Sequence, residues 1–205
     1  MLHPATELRP VCDVIGFGVY ATAPIPRGTI IYVKDPLEIE IEENDYRLSN
    51  AALQPLIERY SYMEPSGTRV LSWDLAKYMN HSCAAVSLST GYGFEIAVRD
   101  ISPGEQITDD YGMLNIAESF RCHCGAANCR SEVTPDDFDA HAAIWDKAVK
   151  EALKLLRSVS QPLETLLDLE TQKNLNHYLK TGKDYLSVKS LRCQLKADQE
   201  QAAEA

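Results

Sequence analysis

Two short stretches in the middle of the chain carry side chains that could do chemistry together. They are Tyr78-Met79-Asn80-His81-Ser82-Cys83 and Gly104-Glu105-Gln106-Ile107-Thr108-Asp109-Asp110-Tyr111-Gly112. Shortly after them comes Cys122-His123-Cys124-Gly125-Ala126-Ala127-Asn128-Cys129, so that four of the six cysteines fall in these three stretches. Cys122, Cys124 and Cys129 offer three thiolates, and structural zinc takes four ligands, commonly sulfur, in a closed tetrahedron. Cys83 is the candidate for the fourth. His123 is a rival, but it is wedged between two cysteines, where joint ligation is awkward. A metal held in this way would tie the flap around Cys122 back to Asn80 and His81, making metal binding and site completion one event. Tyr111 lies between the lone cysteine and the cluster. Singly, the remaining features have bland readings. Gly16-Phe17-Gly18 lets a ligand approach the backbone, because glycine removes the Cβ, yet such a pair often serves only a turn. A buried Asn or His usually satisfies backbone groups, and a lone tyrosine is often a core aromatic with its hydroxyl tied to a carbonyl.

The elements that must position these residues read as short strands followed by helices. Gly16-Phe17-Gly18 leads into Val19-Tyr20-Ala21, and residues 29–33 are β-branched and aromatic. Residues 37–41 alternate apolar with acidic, as a half-exposed strand does. Residues 45–60 are more helical in spacing, and residues 70–73, 92–98 and 107–108 read as strands again. Past Cys129 the pattern changes. Thr134-Pro135-Asp136-Asp137 predicts a helix start, with Thr134 as N-cap and Pro135 at the first helical position. Apolar residues then recur from Phe138 to Val159 as one stripe of a long amphipathic helix, ended by Gln161-Pro162. Shorter helical segments are expected at residues 163–169, 175–179 and 186–195, with Gly182 as a helix end.

At 205 residues the chain can bury one good core with a small appendage. Its 30 acidic and 20 basic side chains leave a net charge of −10. Such a surface repels nucleic-acid phosphate and anionic lipid, so neither direct nucleic-acid binding nor a membrane partner is expected. It attracts a basic protein or a lysine-containing peptide, and it also keeps a protein soluble. No basic and apolar leader is visible at the start, and no apolar run approaches the roughly 20 residues that span a bilayer. The expected location is intracellular, cytoplasmic or nuclear, where clustered cysteines bind metal more often than they pair.

The order of these motifs resembles the SET-domain protein-lysine methyltransferase family. Gly16-Phe17-Gly18-Val19-Tyr20-Ala21 is similar to the family's first motif, which binds S-adenosylmethionine. Lys77-Tyr78-Met79-Asn80-His81-Ser82-Cys83 resembles its Arg-Phe-x-Asn-His-Ser-Cys motif, and residues 96–112, ending in Asp110-Tyr111-Gly112, resemble its closing catalytic motif. The Cys122, Cys124, Cys129 loop looks like the family's post-SET zinc loop. Together the resemblance covers about residues 10–130. It implies an α+β, β-rich SET fold of small twisted sheets with a knot-like core, in which the Asn-His and tyrosine segments thread together, then a post-SET zinc loop. With the C-terminal helical segment, which lies outside the resemblance, the expected boundaries are 1–117 for the SET domain, 118–133 for the zinc loop, 134–197 for the helical extension and 198–205 for a disordered tail.

The resemblance also implies roles. Gly16, Phe17, Gly18, Asn80, His81, Tyr111 and Phe120 would bind S-adenosylmethionine, and Tyr111 would be the catalytic tyrosine. Cys83, Cys122, Cys124 and Cys129 would hold zinc, while Tyr78, Tyr92 and Asp109 are candidates for a substrate-lysine channel. The substrate would be a lysine in a basic protein such as a histone. Two departures stand out. Asp109 occupies the place, two before the tyrosine, where the family usually has Phe or Tyr, and Ala84-Ala85-Val86-Ser87 replaces a common Pro-Asn. A carboxylate in the channel could attract an ammonium, bind a water that leaves room for bulkier methylated products, or face solvent. The helical extension could dock on the core, form a homodimer or help recruit substrate. The alternatives are a catalytically silent SET domain that binds a protein partner, and a zinc-stabilised module without a cofactor.

Overall fold

The structure, a computed structural model, describes residues 1–193. The tail expected at 198–205 lies outside the described residues, as does the end of the last expected helical segment. The strands are β1 (Thr6–Cys12), β2 (Gly16–Ala21), β3 (Ile30–Val33), β4 (Ile39–Ile41), β5 (Ser61–Met63), β6 (Arg69–Leu71), β7 (Asn80–His81), β8 (Ser87–Ser89), β9 (Phe94–Ala97), β10 (Gln106–Asp109), β11 (Phe120–Arg121) and β12 (Glu132–Val133). The α-helices are α1 (Gln54–Tyr60), α2 (Asp137–Leu153) and α3 (Leu169–Thr181). This is the α+β SET architecture of small sheets that the motifs imply.

One four-stranded sheet, ordered β1-β2-β10-β7, gathers three of the motifs. β10 pairs antiparallel with β2, placing Ile107 opposite Val19, and parallel with β7, placing Thr108 opposite Asn80 and Asp109 opposite His81. Val19 and Ile107 are fully buried where they meet. The parallel β7–β10 pair joins segments far apart in sequence, which gives the fold its threaded centre. A second sheet, β3-β9-β8, alternates toward a core built from Ile30, Phe94 and Ile96.

The apolar stripe predicted past Cys129 exists and docks on that core. Phe138, Ala142, Trp145, Val149, Ala152 and Leu153 are all buried on α2. That stripe is therefore covered by the chain's own core. The helix starts at Asp137, later than the Thr134 cap predicts, and Thr134 Oγ1 instead donates to Asp137 Oδ1 at 3.3 Å. It ends at Leu153, not near Val159, because Gln161 folds back. The Gln161 amide donates to Gly28 O at 2.7 Å and accepts from Ile30 N at 2.9 Å. The segment expected at 163–169 is only a 3₁₀ turn at Glu164–Leu166, while the one expected at 175–179 lies within a longer helix, α3, that runs from Leu169. Asp168 caps it by accepting from Glu170 N and Thr171 N, both at 2.9 Å, and Gly182 ends it at φ +68° as predicted.

Candidate active site and thiol cluster

Tyr111 follows β10 after the single residue Asp110, so the sheet order sets its position. Its backbone N–H donates to His81 Nδ1 at 3.1 Å, and its hydroxyl donates to Met79 O at 2.6 Å. Burial first, and then the negative charges of Asp109 and Glu95, push the Tyr111 hydroxyl well above the usual tyrosine range. The phenol is therefore held in its protonated, donating form. The rings of His81 and Phe120 lie 5.5 and 6.2 Å from the Tyr111 ring.

Two cavities meet at this tyrosine. The smaller, about 250 Å³, is lined by Gly16, Phe17, Tyr78, Asn80 and Tyr111 among others. The larger, about 450 Å³, is lined by Tyr62, Glu95, Asp109, Tyr111 and Met113 among others. Glycine is needed at the smaller cavity for two reasons. Gly16 adopts φ +85°, and a Cβ on Gly18 would fall 2.9 Å from Asn80 Nδ2. That amide donates to Phe17 O at 2.9 Å, tying the glycine strand to the Asn-His strand.

Next to the site, the nitrogen or sulfur donor atoms of His81, Cys83, Cys122 and Cys124 all lie within 4.8 Å of one another. Cys129, the fourth ligand expected from the sequence, is not in that group, where His81 stands instead; it lies in the same loop, its thiol donating to Cys122 O at 3.7 Å and accepting from Ser131 N at 3.4 Å. Backbone N–H groups point at the sulfurs, Cys83 N to Cys124 Sγ and Arg130 N to Cys83 Sγ, both at 3.4 Å. Such donors favour thiolates. Burial pushes the Cys122 thiol up to about 12. At Cys124 burial acts the same way, but N–H groups of Cys83 and Ala126 and the neighbouring thiols outweigh it and bring this group down to about 6. A cluster that ionises so unevenly on its own suits a divalent cation, which would compensate all the thiolates together. His81 accepts at Nδ1, and burial holds it neutral, so its Nε2 carries the proton and faces Cys83 Sγ at 3.3 Å. That geometry makes His81 a donor to the sulfur.

Asp110 wires these parts together. Its Oδ1 accepts from Arg130 Nη2 at 2.5 Å and from Gly112 N at 3.1 Å, and its Oδ2 accepts from Trp145 Nε1 at 3.1 Å. Arg130 also pairs with Asp137 at 3.2 Å. The cysteine loop, the tyrosine turn and α2 thus share one buried carboxylate.

Comparison with known proteins fits this arrangement. The SET domain family matches residues 16–112. This stretch is a SET domain. Over 130 residues, 56% of the chain, it is 32% identical to the histone-lysine N-methyltransferase Set2 of Drosophila melanogaster. Over 166 residues, 75% of the chain, it is 24% identical to the histone-lysine N-methyltransferase SETD2 of Homo sapiens. The chain spans 5% of the first relative's length and 6% of the second's. Among solved structures, KRYPTONITE in complex with mCHG DNA and SAH aligns over 62% of this chain and 28% of its own, at 19% identity and a TM-score of 0.44.

Within the SET domain, the structure brings Gly16, Phe17, Gly18, Asn80, His81 and Tyr111 to one place, and Phe120 reaches them from β11. Tyr78 lines the smaller cavity, stacked edge-on against Phe17 at 6.2 Å, and not the larger one. Tyr92 lines neither. It is 3% exposed in the core under the C-terminal helices, with Tyr178 and Tyr185 against its ring, because the turn before β9 faces inward there. Asp109 does line the larger cavity and does not face solvent. Glu95 lines it too, and sequence reasoning missed it. The signal was slight, since a Glu between Phe94 and Ile96 reads as the solvent face of an alternating strand. Among the described residues, no helix is long and apolar enough to cross a membrane.

Proposed function

We propose that this SET domain is a protein-lysine N-methyltransferase that uses S-adenosylmethionine and acts, inside the cell, on a lysine of a basic protein such as a histone. The observation that carries this reading is the position of Tyr111 in the wall common to two cavities. Methyl transfer to an amine is an in-line displacement, so donor and acceptor must enter from opposite sides of one point. The smaller cavity suits the cofactor. Gly16 leaves its wall without a Cβ, and Asn80 presents an amide there. When bound, S-adenosylmethionine supplies a methyl group on a sulfonium.

The chain's own residues do the rest by positioning. The backbone of residues 16–18 and the side chains of Asn80, His81 and Phe120 would hold the cofactor. The larger cavity would admit the lysine side chain, and the acidic surface would draw in its basic carrier. Tyr111, anchored at Met79 O, would fix the direction of the amine's approach and polarise the transferring group. Cys83, Cys122 and Cys124, which cluster with His81, would hold zinc, with Cys129 completing the ligand set from the same loop and the Nε2–H of His81 supporting the Cys83 sulfur.

The test is transfer of a labelled methyl from S-adenosylmethionine to a panel of basic proteins, with Tyr111→Phe in parallel. Label on lysine is expected, falling by about 10²-fold or more in the variant. Absence of both label and cofactor binding would overturn the reading in favour of a silent protein-binding domain.

A further inference from the structure

Two carboxylates, Asp109 buried and Glu95 half-buried, line the larger cavity with no ion pair of their own among the described residues. Asp109, on β10, is 2% exposed. Its Oδ1 accepts from Asp110 N at 2.7 Å, and its Oδ2 has no hydrogen-bond partner among the described residues. Glu95, on β9, accepts from Ser87 Oγ at 3.0 Å through Oε2, and its Oε1 has no such partner either. No lysine or arginine side chain forms a salt bridge with either group among the described residues. Lys34, Arg59, Arg69 and Lys77 line the same cavity without pairing to either group; Lys34 is held by Glu40 at 2.7 Å and Glu64 at 2.8 Å, and the N-terminal ammonium bears on Glu95 from outside the cavity lining. Burying one unpaired carboxylate is costly, and burying two that repel each other costs more. Burial pushes Glu95 up to about 7, and burial followed by the charge of Glu95 pushes Asp109 well above the carboxylate range. A protein that keeps such a pair open to a cavity leaves it free for a cationic guest. Tyr111 lines the same cavity, which brings the pair to the proposed point of methyl transfer.

We infer that Glu95 and Asp109 form a paired-carboxylate seat for the ammonium of the target lysine, and that this seat favours side chains that still carry N–H donors. The inference rests on the transferase reading for the identity of the guest. A primary ammonium offers three donors to the two open oxygens, and a quaternary one offers none. The seat therefore weakens as methyls are added, which favours low methylation states. It also supplies an acceptor for the proton that the ammonium must lose. That proton passes from nitrogen to a carboxylate oxygen, leaving a neutral amine and a carboxylic acid.

The probe is n-butylammonium, a mimic of the lysine side chain, with n-butyltrimethylammonium as the donor-free control. The melting temperature of the full chain, without cofactor, is followed at matched ionic strength for the wild type, Glu95→Gln and Asp109→Asn. A rise with n-butylammonium alone, lost in both variants, is expected. Equal shifts from both cations, or a shift kept in both variants, would overturn the seat. Both substitutions remove buried charge at nearly constant shape, and should a variant misfold, the two cations on the wild type still decide. A selective response without any methyl transfer would leave the seat standing and remove the transferase reading. Methyl transfer without the response would remove the seat alone.

Discussion

A Cβ at Gly18 would fall 2.4 Å from Gln106 Nε2 and 2.9 Å from both Asn80 Nδ2 and Val11 Cγ2. The amide of Asn80 cannot yield without losing its bond to Phe17 O. Gly18→Ala is therefore expected to weaken S-adenosylmethionine binding by at least about 10-fold, equivalent to about 1.4 kcal/mol. Isothermal calorimetry would measure the loss, with circular dichroism showing the fold retained. Unchanged affinity would mean that Asn80 does not touch the cofactor. The residues of this site were legible because Asn80, His81, Cys83 and Tyr111 are types whose chemistry shows at their spacing. Glu95 and Tyr92 were not. Alternation along a strand tells which residues share a face, but not whether that face meets water, a cavity or another layer of the fold. The outward face at Glu95 meets a cavity, and the position of Tyr92 meets α3 and the turn after it.

The cysteine loop is a short element with little apolar burial of its own. Cys122 is buried, while Cys124 and Cys129 are only partly so, and β11 and β12 form a two-stranded ribbon of two residue pairs. A ribbon so small is marginal unless something else pins it. Chelation of zinc is expected to release Phe120 and Arg130 together, because both sit on that loop. Cofactor affinity should fall and the melting temperature drop. Dialysis against a chelator, followed by re-addition of zinc, would check both effects and their reversal. No change in either would exclude a metal-pinned loop. The loop and the helical stripe were visible in the sequence because thiol spacing and 3.6-residue periodicity are local signals. The threading of β10 against β7 was implied by the resemblance, but its pairing with β2 was not legible, since that partner lies about 90 residues away, and register across such a distance is decided by burial and not by neighbours in the chain. The helix boundaries moved for a similar reason, because Gln161 finds its partners at Gly28 and Ile30.

At the scale of the molecule, the helical extension completes the SET core. The turn at Gly91 approaches it so closely that a Cβ there would fall 2.3 Å from Leu186 O. Trp145 reaches from α2 to the carboxylate that also holds Arg130. Trp145→Phe keeps the apolar packing but leaves Asp110 Oδ2 buried without its donor. A loss of about 1–3 kcal/mol in stability is expected, together with lower methyl transfer, measured by urea unfolding and by the labelling assay. A stability loss with full activity would show that the bond is merely structural. The threaded sheet carries a further consequence for how the protein is made. As the chain leaves the ribosome, Val19 and Asn80 emerge well before Ile107 and Thr108 arrive to pair with them, and Asp110 waits longer still for Trp145. Nascent chains shorter than this have both faces of the future site exposed and no strand between them. Cofactor affinity is therefore expected only in nascent chains long enough to have released Trp145, which binding to released chains of increasing length would check.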